Sequence, residues 1–180
     1  MSTKRFILVG AKAEAGTPKQ YGGVLTLSNG LVEYAHRAGF EIDVINTLRS
    51  GFEHQSLLKR LLSGLSRAKK MFALLREPQC AGVIIFCGAG WSFFERMVLA
   101  GIARTYSVPC IFFIVDGWFL ETRKKSSFVR FVYRMLLKIP SKLAASGSNW
   151  VEFFREQDFW SPLREGMIWA WINDLHQNFG

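Results

Sequence analysis

Two short stretches have residue types suited to ligand chemistry: Gly22-Gly23, ahead of an apolar-periodic segment, and Asp116-Gly117, which closes an apolar run. Glycines at the mouth of a helix let an anion approach the free backbone amides of its first turn, which are natural donors to phosphate. Lys19, in the same loop, can add positive charge toward that phosphate. A carboxylate at a strand end, as Asp116 would be, can orient a hydroxyl or take its proton. Gly88 and Gly90, followed by Trp91, make a second glycine turn that can border the same cleft. Ordinary strand-to-helix turns use the same residues, so these loops alone point to a ligand-binding edge and not to a reaction. His36, His54 and His176 have no partners at ligand spacing, so no metal site is proposed. Cys80, Cys87 and Cys110 match no metal pattern either. An odd number of thiols, two of them within apolar runs, reads as core residues in a reducing compartment.

The elements that must position these residues alternate along the chain. The apolar run at 6–10 reads as a buried strand. Residues 24–37 admit two readings. Asn29-Gly30 between apolar pairs is a hairpin signal, whereas Val24, Leu27, Leu31, Tyr34 and Ala35 form one helical face with Gly39 as its terminal cap. A second strand follows at 40–45, and then an amphipathic helix at 56–76 that Pro78 stops. Leu57, Leu58, Leu61, Leu62, Leu65, Ala68, Phe72 and Leu75 follow the helical period. Apolar runs at 83–87 and 110–115 read as further strands, separated by a helix at 93–106. The spacing predicts another amphipathic helix at 126–139, a weak fifth strand at 142–146, a short helix at 150–157 and a sixth apolar run at 167–172. Strands alternating with helices imply right-handed crossovers. The expected fold is one Rossmann-like, three-layer α/β/α domain over 1–180, with a mainly parallel sheet. Ligands then bind outside the carboxyl ends of the strands, where Gly10, Thr47, Gly88, Asp116 and Ser146 begin their loops.

Composition narrows the function classes. The chain has 180 residues, 49% of them hydrophobic, which suits one domain with a sizeable core and excludes disorder. No apolar stretch is long enough to span a membrane and none resembles a signal peptide, so a cytoplasmic location is expected. The net charge of +9 favours anionic partners. Its basic residues concentrate on two helices, one carrying Lys59, Arg60, Arg67, Lys69 and Lys70, the other Arg130, Arg134 and Lys138. On the second helix Phe128, Phe131, Val132, Met135 and Leu136 form the apolar face, which reads as packed on the core with the basic side in solvent. The same helix can lie on an anionic membrane surface. No nucleic-acid motif is present, and aromatics fall mostly in apolar runs, so no specific nucleic-acid partner is expected. The first strand ends in Gly10-Ala11-Lys12 and lacks the dinucleotide glycine signature, which argues against a dehydrogenase.

In this order, Tyr21-Gly22-Gly23-Val24 through Leu31, then His36-Arg37-Ala38-Gly39-Phe40-Glu41-Ile42-Asp43-Val44, resembles the N-terminal domain of GT-B glycosyltransferases, in particular the retaining family 4. Residues 82–117 resemble that domain's third strand, helix and fourth strand, and Ser146-Gly147-Ser148-Asn149-Trp150 its fifth strand and following serine. The resemblance implies helix at 24–37. It also implies a chain that is the acceptor-binding half of an enzyme transferring sugar from a nucleoside-diphosphate sugar to a lipid-linked or cell-envelope glycan acceptor. That donor is a substrate, and no cofactor is implied. In that frame Gly22, Gly23 and Lys19 approach the donor phosphate, and Asp116 is the candidate catalytic residue. Gly88, Gly90, Trp91 and Gly117 line the acceptor cleft. The donor site belongs chiefly to a C-terminal domain that is expected outside this chain or in a partner subunit, so this chain alone is expected to be inactive. Two departures stand out. The histidines common near the ends of the third and fourth strands are replaced by Gly88 and Asp116, and Ala170-Trp171-Ile172-Asn173 stands where the family has its pre-linker motif. The alternative reading is a stand-alone, non-catalytic Rossmann-type domain for a nucleotide or another anion.

Overall fold

The structure is a computed structural model that describes residues 4–13, 23–48, 56–88, 90–115, 121 and 126–145. Strands and helices alternate along these residues. They are β1 (Arg5–Gly10), α1 (Gly23–Arg37), β2 (Glu41–Asn46), α2 (Leu57–Arg76), β3 (Cys80–Cys87), α3 (Trp91–Thr105), β4 (Cys110–Ile114), α4 (Ser127–Leu136) and β5 (Lys142–Ala145). All strand pairs are parallel, in the order β2-β1-β3-β4-β5. The short helix expected at 150–157 and the apolar run at 167–172 lie outside the described residues.

Register explains the layering. Val9 is level with Ile45 and Ile85, Ile85 with Phe112, and Phe112 with Leu143. Level residues on parallel strands share a face, and successive residues alternate. This face packs with Met71, Leu74 and Leu75 of α2, Phe93, Met97 and Ala100 of α3, and Tyr133 of α4 in one buried core. Leu8, Gly10 and Phe86 lie on the opposite face. There a Cβ on Gly10 would stand 2.5 Å from the Ser28 hydroxyl of α1 and 3.0 Å from the Phe86 ring. Glycine therefore lets β1 and α1 approach closely. The result is a three-layer α/β/α sandwich of Rossmann type.

Local chemistry sets the element ends. Residues 24–37 are helix, with Asn29-Gly30 inside it. A two-residue hairpin makes antiparallel neighbours, and joining β1 to a parallel β2 requires a crossover, so topology overrides the local turn signal. α1 ends in a Schellman motif. Gly39 adopts φ 73°, its N–H donates to the His36 carbonyl (3.2 Å), and the Phe40 N–H donates to that of Ala35 (2.9 Å). Phe40 then meets Phe6 edge-on at 5.6 Å. The Ser56 hydroxyl caps α2 by accepting from the Lys59 N–H at 3.4 Å. Glu77, which precedes Pro78, is extended, as the proline ring requires. At the amino edge of the sheet the Arg5 guanidinium bonds both Asp43 and Glu77, tying β1 to β2 and to the end of α2. Asp43 first, then Glu77, hold it charged and raise its pKa.

The apolar faces of two helices differ from the period-based expectation. On α2 only the C-terminal half buries its apolar side, through Met71, Leu74 and Leu75, with Ala68 packed against them. Leu57, Leu58, Leu61, Leu62 and Leu65 are exposed by 55–69%. The side of this half that approaches α3 carries Gly64 and Arg67 instead. On α4 the packed residue is Tyr133, which lies 4.4 Å from the Phe93 ring, supported by Val129 and Leu136. Phe128, Phe131 and Met135 face outward, which corrects the core-packed reading for those three, whereas Val132 is half-buried and Leu136 packs on the core as expected. The Tyr133 ring wins the buried position because it fits between α3 and the sheet, and helical period alone does not identify which aromatic stripe meets a neighbour.

Candidate functional site

The strand order creates the site. From β1 the chain moves outward to β2 and then returns across to β3, so α1 and α2 leave on opposite faces. Outside the carboxyl ends of β1 and β3 this reversal opens a crevice, the usual ligand position of such sheets. Main-chain and amide bonds hold its rim. The Thr47 N–H donates to the Gly10 carbonyl at 2.9 Å, and the Val115 N–H to that of Cys87 at 3.0 Å. Asn46 clamps the exit of β1 to that of β2. Its Oδ1 accepts from Lys12 N–H and Leu48 N–H, both at 3.0 Å, and its Nδ2 donates to the Lys12 carbonyl at 2.9 Å.

Several sequence-predicted residues stand along this edge. Gly23 opens α1. Gly88 follows β3 and accepts a bond from the Cys87 thiol at 3.0 Å. Gly90 caps α3 at φ 70° and ψ −139°, a conformation that an L side chain rarely adopts. It provides no side-chain cap, and the first turn of α3 contains no acid; the Phe93 N–H donates to the Gly90 carbonyl at 3.1 Å, and the amides before it are the ones that could serve an anion. Trp91 begins α3 and is 45% exposed, presenting an aromatic surface beside those amides. Gly22, Lys19, Asp116 and Gly117 lie outside the described residues.

Two features escape a reading by motif. A cavity of about 320 Å³ lies between α1 and the exits of β1 and β2, lined by Lys12, Ser28, Asn29, Glu33 and His36 among others. Its signal is the spacing of Asn29, Glu33 and His36, which places three polar groups on one side of α1. The second feature lies between α2 and α3. Glu95 Oε1 accepts from Arg67 Nε at 2.5 Å and from Arg96 Nη1 at 2.9 Å. Arg96 is only 5% exposed, and burial is the main cause lowering its pKa. Arg96 follows the buried period of Phe93, Met97, Ala100 and Ala103, which is the cue that a sequence reading can use.

The arrangement is suited to binding anions through helix-terminal amides and guanidinium groups. Among the described residues no three His, Cys, Asp or Glu side chains are grouped as metal ligands. Compared with known proteins, the chain matches no family model and no curated protein.

Proposed function

We propose that this chain is the acceptor-binding half of a retaining, nucleotide-sugar-dependent glycosyltransferase that acts on a lipid-linked or cell-envelope glycan. The observation that supports this reading most is the placement of Gly23, Gly88, Gly90 and Trp91 at helix starts and a strand exit along the carboxyl edge of the sheet. These residues lie in the stretches that carry the glycosyltransferase resemblance. In this reading the amides of α1, behind Gly22 and Gly23, approach the donor diphosphate with Lys19. Trp91 offers a flat apolar surface to the acceptor, the Gly88, Gly90 and Gly117 backbones let it come close, and Asp116 receives the acceptor proton. The donor is held mainly by a further domain or a partner subunit.

A peripheral position at the inner face of a membrane fits the surface. No helix of the described residues is long and apolar enough to cross a membrane. The exposed Leu57–Leu65 stripe of α2, with Phe128 and Phe131 of α4, offers apolar contacts on the same side of the sheet. Lys59, Arg130, Arg134 and Lys138 accompany it, and neither α2 nor α4 contains an acid.

The test is glycosyl transfer by the endogenous protein at its full natural length. Radiolabelled nucleoside-diphosphate sugars are supplied with a membrane lipid extract. The expected result is label in the lipid fraction, reduced about tenfold or more by Trp91→Ala, an effect of the size seen when a positioning contact is lost. Nucleotide or anion binding without transfer to any acceptor would transfer support to the non-catalytic binding domain.

A further inference from the structure

The junction of α2 and α3 holds more positive charge than its own carboxylate can match. Glu95 is the sole acidic residue in α2, α3 and α4. Its Oε1 already serves two guanidiniums, those of Arg67 and Arg96. Arg60 stands one helical turn before Gly64, on the α2 side where a Cβ at Gly64 would meet the Glu95 stem at 3.7 Å. Arg60 Nε and Arg96 Nε are both shielded from solvent and have no hydrogen-bond partner among the described residues. A buried N–H donor of a cation without an acceptor carries its desolvation cost unreturned, so such donors mark the place of a missing acceptor.

We propose that Arg60, Arg67 and Arg96 form a binding site for a phosphate group, with Glu95 orienting the guanidiniums. A tetrahedral dianion matches the two unmatched positive charges and offers oxygens to both free Nε–H donors. Planar guanidinium forks are the side chains best suited to grip it. The phosphate is either that of a soluble phosphomonoester or inorganic phosphate, or that of a lipid headgroup, since the exposed leucines of α2 lie on the other side of the same helix. The three guanidiniums are groups other than the amides at Gly23 and Gly90, and their role does not depend on the glycosyltransferase reading.

The experiment is calorimetric titration of the full chain with inorganic phosphate and with glycerol 3-phosphate, at ionic strength matched with sodium chloride. Vesicles of phosphatidylcholine with and without phosphatidic acid are titrated in parallel. Saturable binding is expected, weakened about tenfold or more in Arg60→Gln and in Arg96→Gln, the loss expected for one charged hydrogen bond. Lys69→Gln, which removes the same charge from an exposed position of α2, is expected to bind within about twofold of wild type. Arg60 is only partly buried, so Arg60→Gln carries the test should Arg96→Gln fail to fold. Binding of the soluble probes identifies a soluble phosphate, and binding confined to phosphatidic acid vesicles identifies a headgroup. Either upholds the site when Arg60→Gln weakens it selectively. Absence of saturable binding to every probe overturns the proposal, as does an equal loss in Lys69→Gln or no loss in Arg60→Gln.

Discussion

Ser28 is 1% exposed, and its hydroxyl has no hydrogen-bond partner among the described residues. The same oxygen lies 2.5 Å from where a Cβ on Gly10 would sit. A buried hydroxyl without a partner carries its desolvation cost with no return, and alanine is the better helix former. Ser28→Ala is therefore expected to raise unfolding stability by about 0.5–1.5 kcal/mol, read as a higher urea midpoint at unchanged m-value. A loss of more than about 1 kcal/mol would show instead that the hydroxyl is satisfied. At this scale the glycines of the crevice were legible in the sequence, because turns at strand ends have few residue choices. Ser28 and Arg96 were not, since each looks like a normal helical residue until the partner surface is known.

The clasp between α2 and α3 rests on one carboxylate. Arg67 and Arg96 share Glu95 Oε1, and the three side chains are exposed by 20%, 6% and 15% respectively. Removing the charge of Glu95 leaves two cations side by side in a poorly solvated place. Glu95→Gln is expected to destabilise the fold by roughly 2–4 kcal/mol, below the ~3–5 of a fully buried pair because water reaches part of the site. Thermal unfolding of the variant checks this, and a shift within error would mean that Arg67 and Arg96 are satisfied without it. The helices themselves were readable from their ends: Ser56 and Pro78 bound α2, and Gly39 follows α1. Their orientation was not. Five leucines of α2 follow the helical period and yet point outward, because an apolar stripe encodes a face without encoding what covers it.

Across the whole molecule, buried thiol and phenol groups of the sheet core are expected to lower stability at alkaline pH. Burial pushes the Cys110 thiol from its ordinary 9.0 up to about 12. Burial first, then the nearby Cys87, also raises the Tyr133 phenol. In the unfolded chain the thiol loses its proton near 9.0, whereas in the folded chain it keeps it to about 12. Within that window the folded state binds more protons, so stability falls as pH rises and is unaffected below the window. Denaturation measured across this range is expected to show a fall that is shallower in Cys110→Ala. An identical slope in the variant would assign the fall to other groups.

The alternation of strands and helices, the parallel sheet and the glycine turns along one edge are all written in local pattern. Each follows from period, turn chemistry and capping among near neighbours. Only the packed fold shows that the α2 leucines face outward and that Arg67 and Arg96 share Glu95. Those outcomes depend on which distant surfaces meet, which no local pattern contains.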